Sequence, residues 1–107
     1  MAPVGVGEVG RGFYHLLDGL NPERILIAGE TIGIGRQALT RATQYAKDRV
    51  VFGRPIGQNQ SIQHQLAQSW MALEAADLMV WHAARLYDDG KSCGAEANSA
   101  KFLAADA

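Results

Sequence analysis

The strongest constraint in this sequence is a pair of apolar stripes with helical spacing, separated by one short interruption. In the first stripe, apolar and small residues follow one another by threes and fours from Ile25 to Ala46. The second stripe repeats this spacing from Ile62 to Tyr87. Because such spacing places apolar side chains on one face of an α-helix, the sequence predicts an all-α fold built on two long helices.

The start of the first long helix is predicted from residues that favour helix N-termini. Asn21 followed by Pro22 is typical of a helix start, because asparagine caps well and proline loses no needed hydrogen bond there. The helix is expected to begin at this point and to end near Asp48. A separate short helix is expected before it, over residues 11–20, where apolar residues recur at helical spacing.

Turn-forming residues divide the rest of the chain. Residues 50–57 contain β-branched residues, two glycines and a proline, which predict an extended loop. The second helix is expected over residues 58–88, followed by Gly90 in the left-handed conformation that ends many helices. Ser92 is a candidate N-cap for a third helix, in which alanines recur at helical spacing up to Ala107.

Composition narrows the functional class. The 107 residues suffice for one small domain, and the formal net charge of −1 argues against a nucleic-acid-binding protein, which needs a basic face. Cys93 is the single cysteine, and the three histidines share no metal-ligand spacing, so neither a disulfide nor a metal site is expected. No apolar run approaches the ~18 residues of a membrane span, and the first ten residues do not resemble a signal peptide. A soluble cytoplasmic protein is therefore expected.

Residues within the predicted long helices indicate close packing. Gly29, Gly33 and Gly35 lie inside the first helix, where each glycine costs about 0.5–1 kcal/mol relative to alanine, so close helix contact is expected there. Trp70 and Trp81 lie on the second helix, and aromatic residues so placed usually belong to a core or a subunit interface. Two long helices and one short one do not close a core, so the chain is expected to be part of a larger protein.

Two segments contain groups suited to chemistry. Glu23 can act as a general base and Arg24 can pair with a phosphate or carboxylate, although an acidic first-turn residue can also simply stabilise its helix. The loop from Arg49 to Gln60 offers a guanidinium, an aromatic ring, a glycine and an amide, the groups that surround a nucleotide pyrophosphate and its adenine. A connecting loop with Arg49 in a surface ion pair is an equally open alternative.

Several motifs occur here in the order and spacing of one protein family. They are Gly10-Arg11-Gly12-Phe13, Leu20-Asn21-Pro22-Glu23-Arg24, Tyr45-Ala46-Lys47-Asp48-Arg49, Phe52-Gly53-Arg54-Pro55-Ile56, Gln60, Leu66-Ala67 and Ala100-Lys101. Together they span roughly residues 7–107, and in this combination the sequence resembles the acyl-CoA dehydrogenases.

The resemblance implies an FAD-dependent enzyme that dehydrogenates an acyl-CoA thioester between its α and β carbons. Electrons usually pass on to an electron-transferring flavoprotein. Members are homotetramers or dimers with an N-terminal helical domain, a middle β-domain and a C-terminal up-down four-helix bundle. Residues 1–20 would lead in from the β-domain with a short helix, and residues 21–107 would form the first helices of a truncated bundle.

The resemblance also implies an FAD-binding segment in the loop. Arg49 matches the arginine that reaches the FAD pyrophosphate, typically in a neighbouring subunit. Val51 and Phe52 match loop residues packed beside that cofactor. Gln60 matches the glutamine that completes the cofactor site.

A second implied segment lines the acyl-CoA site. Asn21 and Arg24 match residues of that lining, with Asn21 standing where aspartate is common in the family. Glu23 matches the catalytic base of the isovaleryl and long-chain branches. In most other members the base lies further along the chain, so Glu23 is one of two candidate positions.

Two further hypotheses stay open. Acyl-CoA oxidases and related flavin monooxygenases share the bundle but pass electrons to oxygen, and these residues do not separate them from dehydrogenases. The third hypothesis is a non-catalytic helical assembly module, or an inactive relative, that uses the long helices for association. An inactive member should lack a carboxylate at both base positions.

Overall fold

The computed structural model describes residue 5 and residues 7–107, and this part of the chain is 80% helical. Its helices are α1 (Gly12–Asp48), α2 (Gln60–Asp88) and α3 (Gly94–Asp106). The molecule is elongated, with extents of 79 × 25 × 18 Å, because α1 alone runs for 37 residues. The predicted all-α fold class is confirmed. Residues 1–4 and 6, which belong to the predicted lead-in, lie outside the described residues.

The predicted break between a short helix and the first long helix is wrong, because α1 continues through Pro22. Asn21 is therefore not an N-cap but a residue inside the helix, and it is buried. Pro22 lacks the N–H that would bond to the Asp18 carbonyl, and its ring crowds that carbonyl, but the helical hydrogen bonds on both sides keep α1 continuous at this local cost. The division of the chain at residue 20 into a lead-in and a bundle domain stays a prediction.

The second and third helices lie close to their predicted positions. α2 begins two residues later than expected, because Ile56–Gln58 forms a short 3-10 turn before it. Gly90 has the predicted left-handed backbone, with φ of +66°. Ser92 does not cap α3: Cys93 occupies the N-cap position, and no side chain bonds there to the free N–H groups.

The three helices pack against one another through a core made mostly of alanine. Its fully buried members are Ala28, Ile32, Leu73, Ala76, Ala83, Ala100 and Ala104. Because alanine side chains are small, the backbones of α1, α2 and α3 can approach closely and pack without gaps where they meet. At Gly35 a Cβ atom would lie 2.6 Å from the Cδ2 atom of Leu73, so the expected close contact is confirmed there.

Two packing predictions fail within the described chain. A Cβ atom at Gly29 or Gly33 would meet nothing within 4 Å, so neither glycine lies at a helix contact here. Trp70 and Trp81 are 57% and 61% exposed, so neither belongs to the core of this chain. The alternative prediction, that they lie at a subunit interface, is not tested. No helix among residues 7–107 is both long and apolar enough to cross a membrane.

Candidate functional site

The segment between α1 and α2, predicted as an extended loop over residues 50–57, is instead a tight β-hairpin followed by a 3-10 turn. Strand β1 (Val50–Val51) pairs antiparallel with β2 (Arg54–Pro55), and Val51 lies opposite Arg54. The two residues of the turn, Phe52 and Gly53, both have left-handed backbones, with φ of +52° and +78°. This is the pattern of a type I′ turn, whose twist matches that of the paired strands.

Phe52 is an unusual occupant of this turn. Asparagine, aspartate and glycine are the usual first residues of a type I′ turn, because a bulky side chain with positive φ is strained by about 1–3 kcal/mol. The phenyl ring gains no burial in return, since Phe52 is 101% exposed. A strained backbone that displays an aromatic ring to solvent is typical of a residue kept for binding.

Arg49 stands at the base of the same hairpin. Its backbone N–H donates to the Tyr45 carbonyl at 2.8 Å, and its own carbonyl accepts from the Ile56 N–H at 2.9 Å, so the backbone is held at both sides. The side chain is exposed. Within residues 7–107 no acidic residue forms an ion pair with its guanidinium, so the surface ion pair considered as an alternative is not observed.

The hairpin is joined to α2 by a compact corner. Gln60, the first residue of α2, is exposed beside this corner. The Arg54 guanidinium donates to Asn59 Oδ1 at 2.8 Å, and the Gln63 side-chain amide donates to the Gly57 carbonyl at 2.8 Å. The structure thus brings all four predicted FAD-binding residues to one corner of the molecule: Arg49, Val51, Phe52 and Gln60.

The predicted substrate segment lies towards the other end of α1. Asn21 is 8% exposed, and its Oδ1 atom accepts a hydrogen bond of 3.3 Å from Arg24 Nη1. Glu23 points to the exposed side of the helix and has no hydrogen-bond partner within residues 7–107. Arg24 and Arg49 are separated by roughly 37 Å along α1, from 25 intervening steps of 1.5 Å. The two predicted site segments therefore do not form one site within this chain.

A pocket beside Asn21 was not predicted from the sequence. It lies where α1 meets the turn between α2 and α3, and it is lined by Asp18, Asn21, Tyr87, Gly90, Lys91, Ser92 and Cys93. Burial raises the pKa of the Cys93 thiol, with smaller contributions from the charges of Glu96 and Asp18. The thiol therefore stays protonated at neutral pH and is a poor nucleophile. The pocket depends on contacts distant in sequence, so no local pattern indicated it.

An apolar groove on the outer side of α1 and α2 was also missed. Its lining is Ile25, Leu26, Gly29, Glu30, Asp77, Val80, Trp81 and Ala84. Leu26 is 74% exposed and Trp81 is 61% exposed, although both are large and apolar. Leu26 belongs to no predicted feature, whereas the prediction of a core or subunit interface at Trp81 was a sign of this groove in the sequence. Within the described residues, no cluster of three potential metal ligands occurs.

Comparison with known proteins gives a consistent result over nearly the whole chain. Residues 10–107 match the family model for the acyl-CoA dehydrogenase C-terminal domain. An acyl-CoA dehydrogenase of Bacillus subtilis is 47% identical over 95% of this chain and 27% of its own length. The caffeyl-CoA reductase-Etf complex subunit CarC of Acetobacterium woodii is 40% identical over 94% of this chain and 27% of its own.

A solved structure shows the same fold. Butyryl-CoA dehydrogenase from Megasphaera elsdenii aligns with a TM-score of 0.85 and 40% identity, over 94% of this chain and 26% of that one. This chain therefore spans about a quarter of the length of the relatives it matches.

Proposed function

This chain belongs to the acyl-CoA dehydrogenase family, and from that premise we propose that it is the piece of an FAD-dependent acyl-CoA dehydrogenase that begins the C-terminal helical domain. In this proposal the whole enzyme dehydrogenates an acyl-CoA thioester between its α and β carbons. The chain contributes a cofactor-binding hairpin and part of the substrate lining. It contributes no complete active site.

The observation that best supports the proposal is that two side chains of the hairpin, those of Arg49 and Phe52, are exposed and able to bind a ligand. Arg49 is exposed and has no acidic partner within residues 7–107, and Phe52 is exposed on a strained backbone in the same hairpin. A guanidinium binds a pyrophosphate through charge-assisted hydrogen bonds, and a phenyl ring packs against a flat ring system. Val51 would pack beside the cofactor and Gln60 would donate or accept a hydrogen bond there. The residues present therefore fit FAD.

The distance along α1 supports a shared cofactor site between subunits. Arg24 and Arg49 lie roughly 37 Å apart along the helix axis. Because the two segments form no single site within this chain, we propose that the hairpin and the Asn21–Arg24 segment serve different active sites. We propose a homo-oligomer, a dimer or tetramer, in which the hairpin reaches the FAD of a neighbouring subunit.

In the proposed reaction, FAD held by the hairpin residues Arg49, Val51 and Phe52 together with Gln60 would supply the acceptor for the hydride of the substrate β-carbon. Arg24 and Asn21 line the acyl-CoA site, and their hydrogen bond of 3.3 Å orients the guanidinium on the surface of α1. Glu23 is one of two positions for the base that removes the α-proton, and its exposed side chain is free to face a substrate. The other position lies outside this sequence.

An electron-transferring flavoprotein is the proposed electron acceptor. Its support is indirect: one relative, CarC, belongs to a reductase–Etf complex. Transfer to oxygen, as in an oxidase or flavin monooxygenase, is the alternative. A cytoplasmic location is likewise a proposal.

The proposal is tested by replacing Arg49 with alanine in the longer protein and measuring FAD retention after gel filtration. Removing a hydrogen bond to a charged group costs about 1.5–3 kcal/mol, so FAD affinity should fall by at least about tenfold. Arg41→Ala is a matched control, because Arg41 is an exposed arginine on α1 outside the hairpin. Equal FAD content in the two variants would contradict the cofactor assignment.

A further inference from the structure

Gly57, at the corner between α1 and α2, contacts both helices: it lies against Ala46 of α1, and its carbonyl accepts a hydrogen bond from Gln63 of α2. We call these three residues the clamp. Gly57 lies against the backbone of α1, where a Cβ atom would come within 2.9 Å of the Ala46 carbonyl oxygen and 3.2 Å of its carbon. Only glycine fits this contact without a shift of backbone. The carbonyl of the same Gly57 accepts the hydrogen bond of 2.8 Å from Gln63 on α2. One residue is thus pinned to both helices at once.

The clamp sits between the two halves of the proposed cofactor site. Arg49 and Phe52 lie on the hairpin before Gly57, whereas Gln60 lies after it at the start of α2. The Arg54 bond to Asn59 joins the hairpin to the N-cap of α2, and backbone hydrogen bonds continue from Asn59 into the helix. The Gln63 bond is the side-chain link between the 3-10 turn at Ile56–Gln58 and α2 within residues 7–107. Gln63 therefore helps, together with Arg54, to set the distance and angle between the hairpin and Gln60.

We infer that Gln63 is a positioning residue for FAD binding. Its side chain does not need to touch the cofactor: it holds the Gly57 carbonyl, and thereby fixes the hairpin relative to Gln60 before FAD arrives. Preorganisation of this kind raises affinity by removing the cost of ordering the loop during binding. The inference rests on the proposed function, since it presumes that the hairpin and Gln60 bind one cofactor.

The test compares Gln63→Met with Gln65→Met in the longer protein. Methionine has nearly the length of glutamine but no N–H donor, so Gln63→Met removes the bond to Gly57 without adding charge. Gln65 is an exposed glutamine two residues along the same helix, with no side-chain hydrogen bond within residues 7–107. We expect FAD affinity to fall roughly three- to tenfold in Gln63→Met, the change expected for one lost hydrogen bond, and to stay unchanged in Gln65→Met.

Two further measurements separate positioning from simple structural support. The thermal midpoint of the FAD-free protein should be the same in both variants, because the bond lies at an exposed corner. Gln63→Lys restores a donor at this position and should recover part of the affinity. Equal FAD affinity in the two methionine variants, or a parallel loss of FAD-free stability in Gln63→Met, would overturn the inference. Arg49→Ala is included because unchanged FAD binding there would refute the proposed function itself.

Discussion

The alanine-rich core shared by α1, α2 and α3, called the seam below, differs in its residues from the hairpin between α1 and α2. The seam is built from small, fully buried side chains such as Ala76 and Ala100, with Ile32 as its largest fully buried member. The hairpin contains an exposed phenylalanine on a strained backbone and an arginine without an acidic partner among residues 7–107. The seam buries apolar surface and so stabilises the fold, whereas in the proposed function the hairpin contacts a cofactor outside the chain. Substitutions in the two regions should therefore affect stability and binding differently.

The largest expected effect is at the seam, where Ile32→Ala removes the bulkiest buried side chain. Ile32 is 2% exposed, and truncation of such a residue costs about 2–5 kcal/mol of unfolding free energy. Thermal or denaturant unfolding of the longer protein would measure the loss. The matched control is Ile34→Ala on the same helix, because Ile34 is 66% exposed in this chain. A loss at Ile34 as large as at Ile32 would show that the outer face is also buried in the longer protein, and the contrast would weaken.

A smaller effect of the opposite sign is expected at the hairpin for Phe52→Asn. Asparagine adopts a left-handed backbone more easily than phenylalanine, so the FAD-free protein should keep its stability or gain up to about 1 kcal/mol. FAD retention should fall at the same time, because the ring is lost. The FAD-free thermal midpoint and the bound flavin content would be compared in one preparation. A substitution that lowered both together would place Phe52 with the seam rather than with the binding residues.

The smallest effect is expected at the rim of the seam, for Arg36→Met. Arg36 Nη2 donates to Glu74 at 2.8 Å and to Asp77 at 2.9 Å, and these bonds raise the pKa of Arg36, so the guanidinium stays charged. All three side chains are partly exposed, so water and salt screen the attraction. The thermal midpoint should fall slightly in low salt, and the difference from the parent should shrink in high salt. A loss independent of salt would instead indicate lost packing of the arginine stem.

Much of the helical framework could be predicted from local pattern, and the failures have a common physical cause. The stripes placed Ile32 and Ala76 on buried faces, and Gly90 ended α2 as expected. The predicted helix break at Asn21 and Pro22 was wrong, because α1 continues through both residues. Local capping preferences favour a helix start here but do not show whether the preceding helix ends. Close packing was expected equally at three glycines but occurs only at Gly35, since only that glycine faces Leu73.

The candidate site shows the same division. The motif around Arg49, Val51, Phe52 and Gln60 was identified from the sequence, as was the segment from Asn21 to Arg24. Their separation by roughly 37 Å follows only once α1 is known to be one continuous helix through that region. The backbone strain at Phe52 and the clamp at Gly57 depend on backbone angles and on an approach of two helices, neither of which residue types encode locally.

By itself, the sequence determined the helical class, the buried faces and the family of this protein, because apolar periodicity and motif order are properties of neighbouring residues. The tertiary structure alone decided that α1 continues through Pro22, which glycine lies at a helix contact, and how the hairpin is held against the two helices. Those features depend on contacts between residues far apart in the chain. Such contacts form only when the helices pack, and they can then outweigh local preferences for turns and caps.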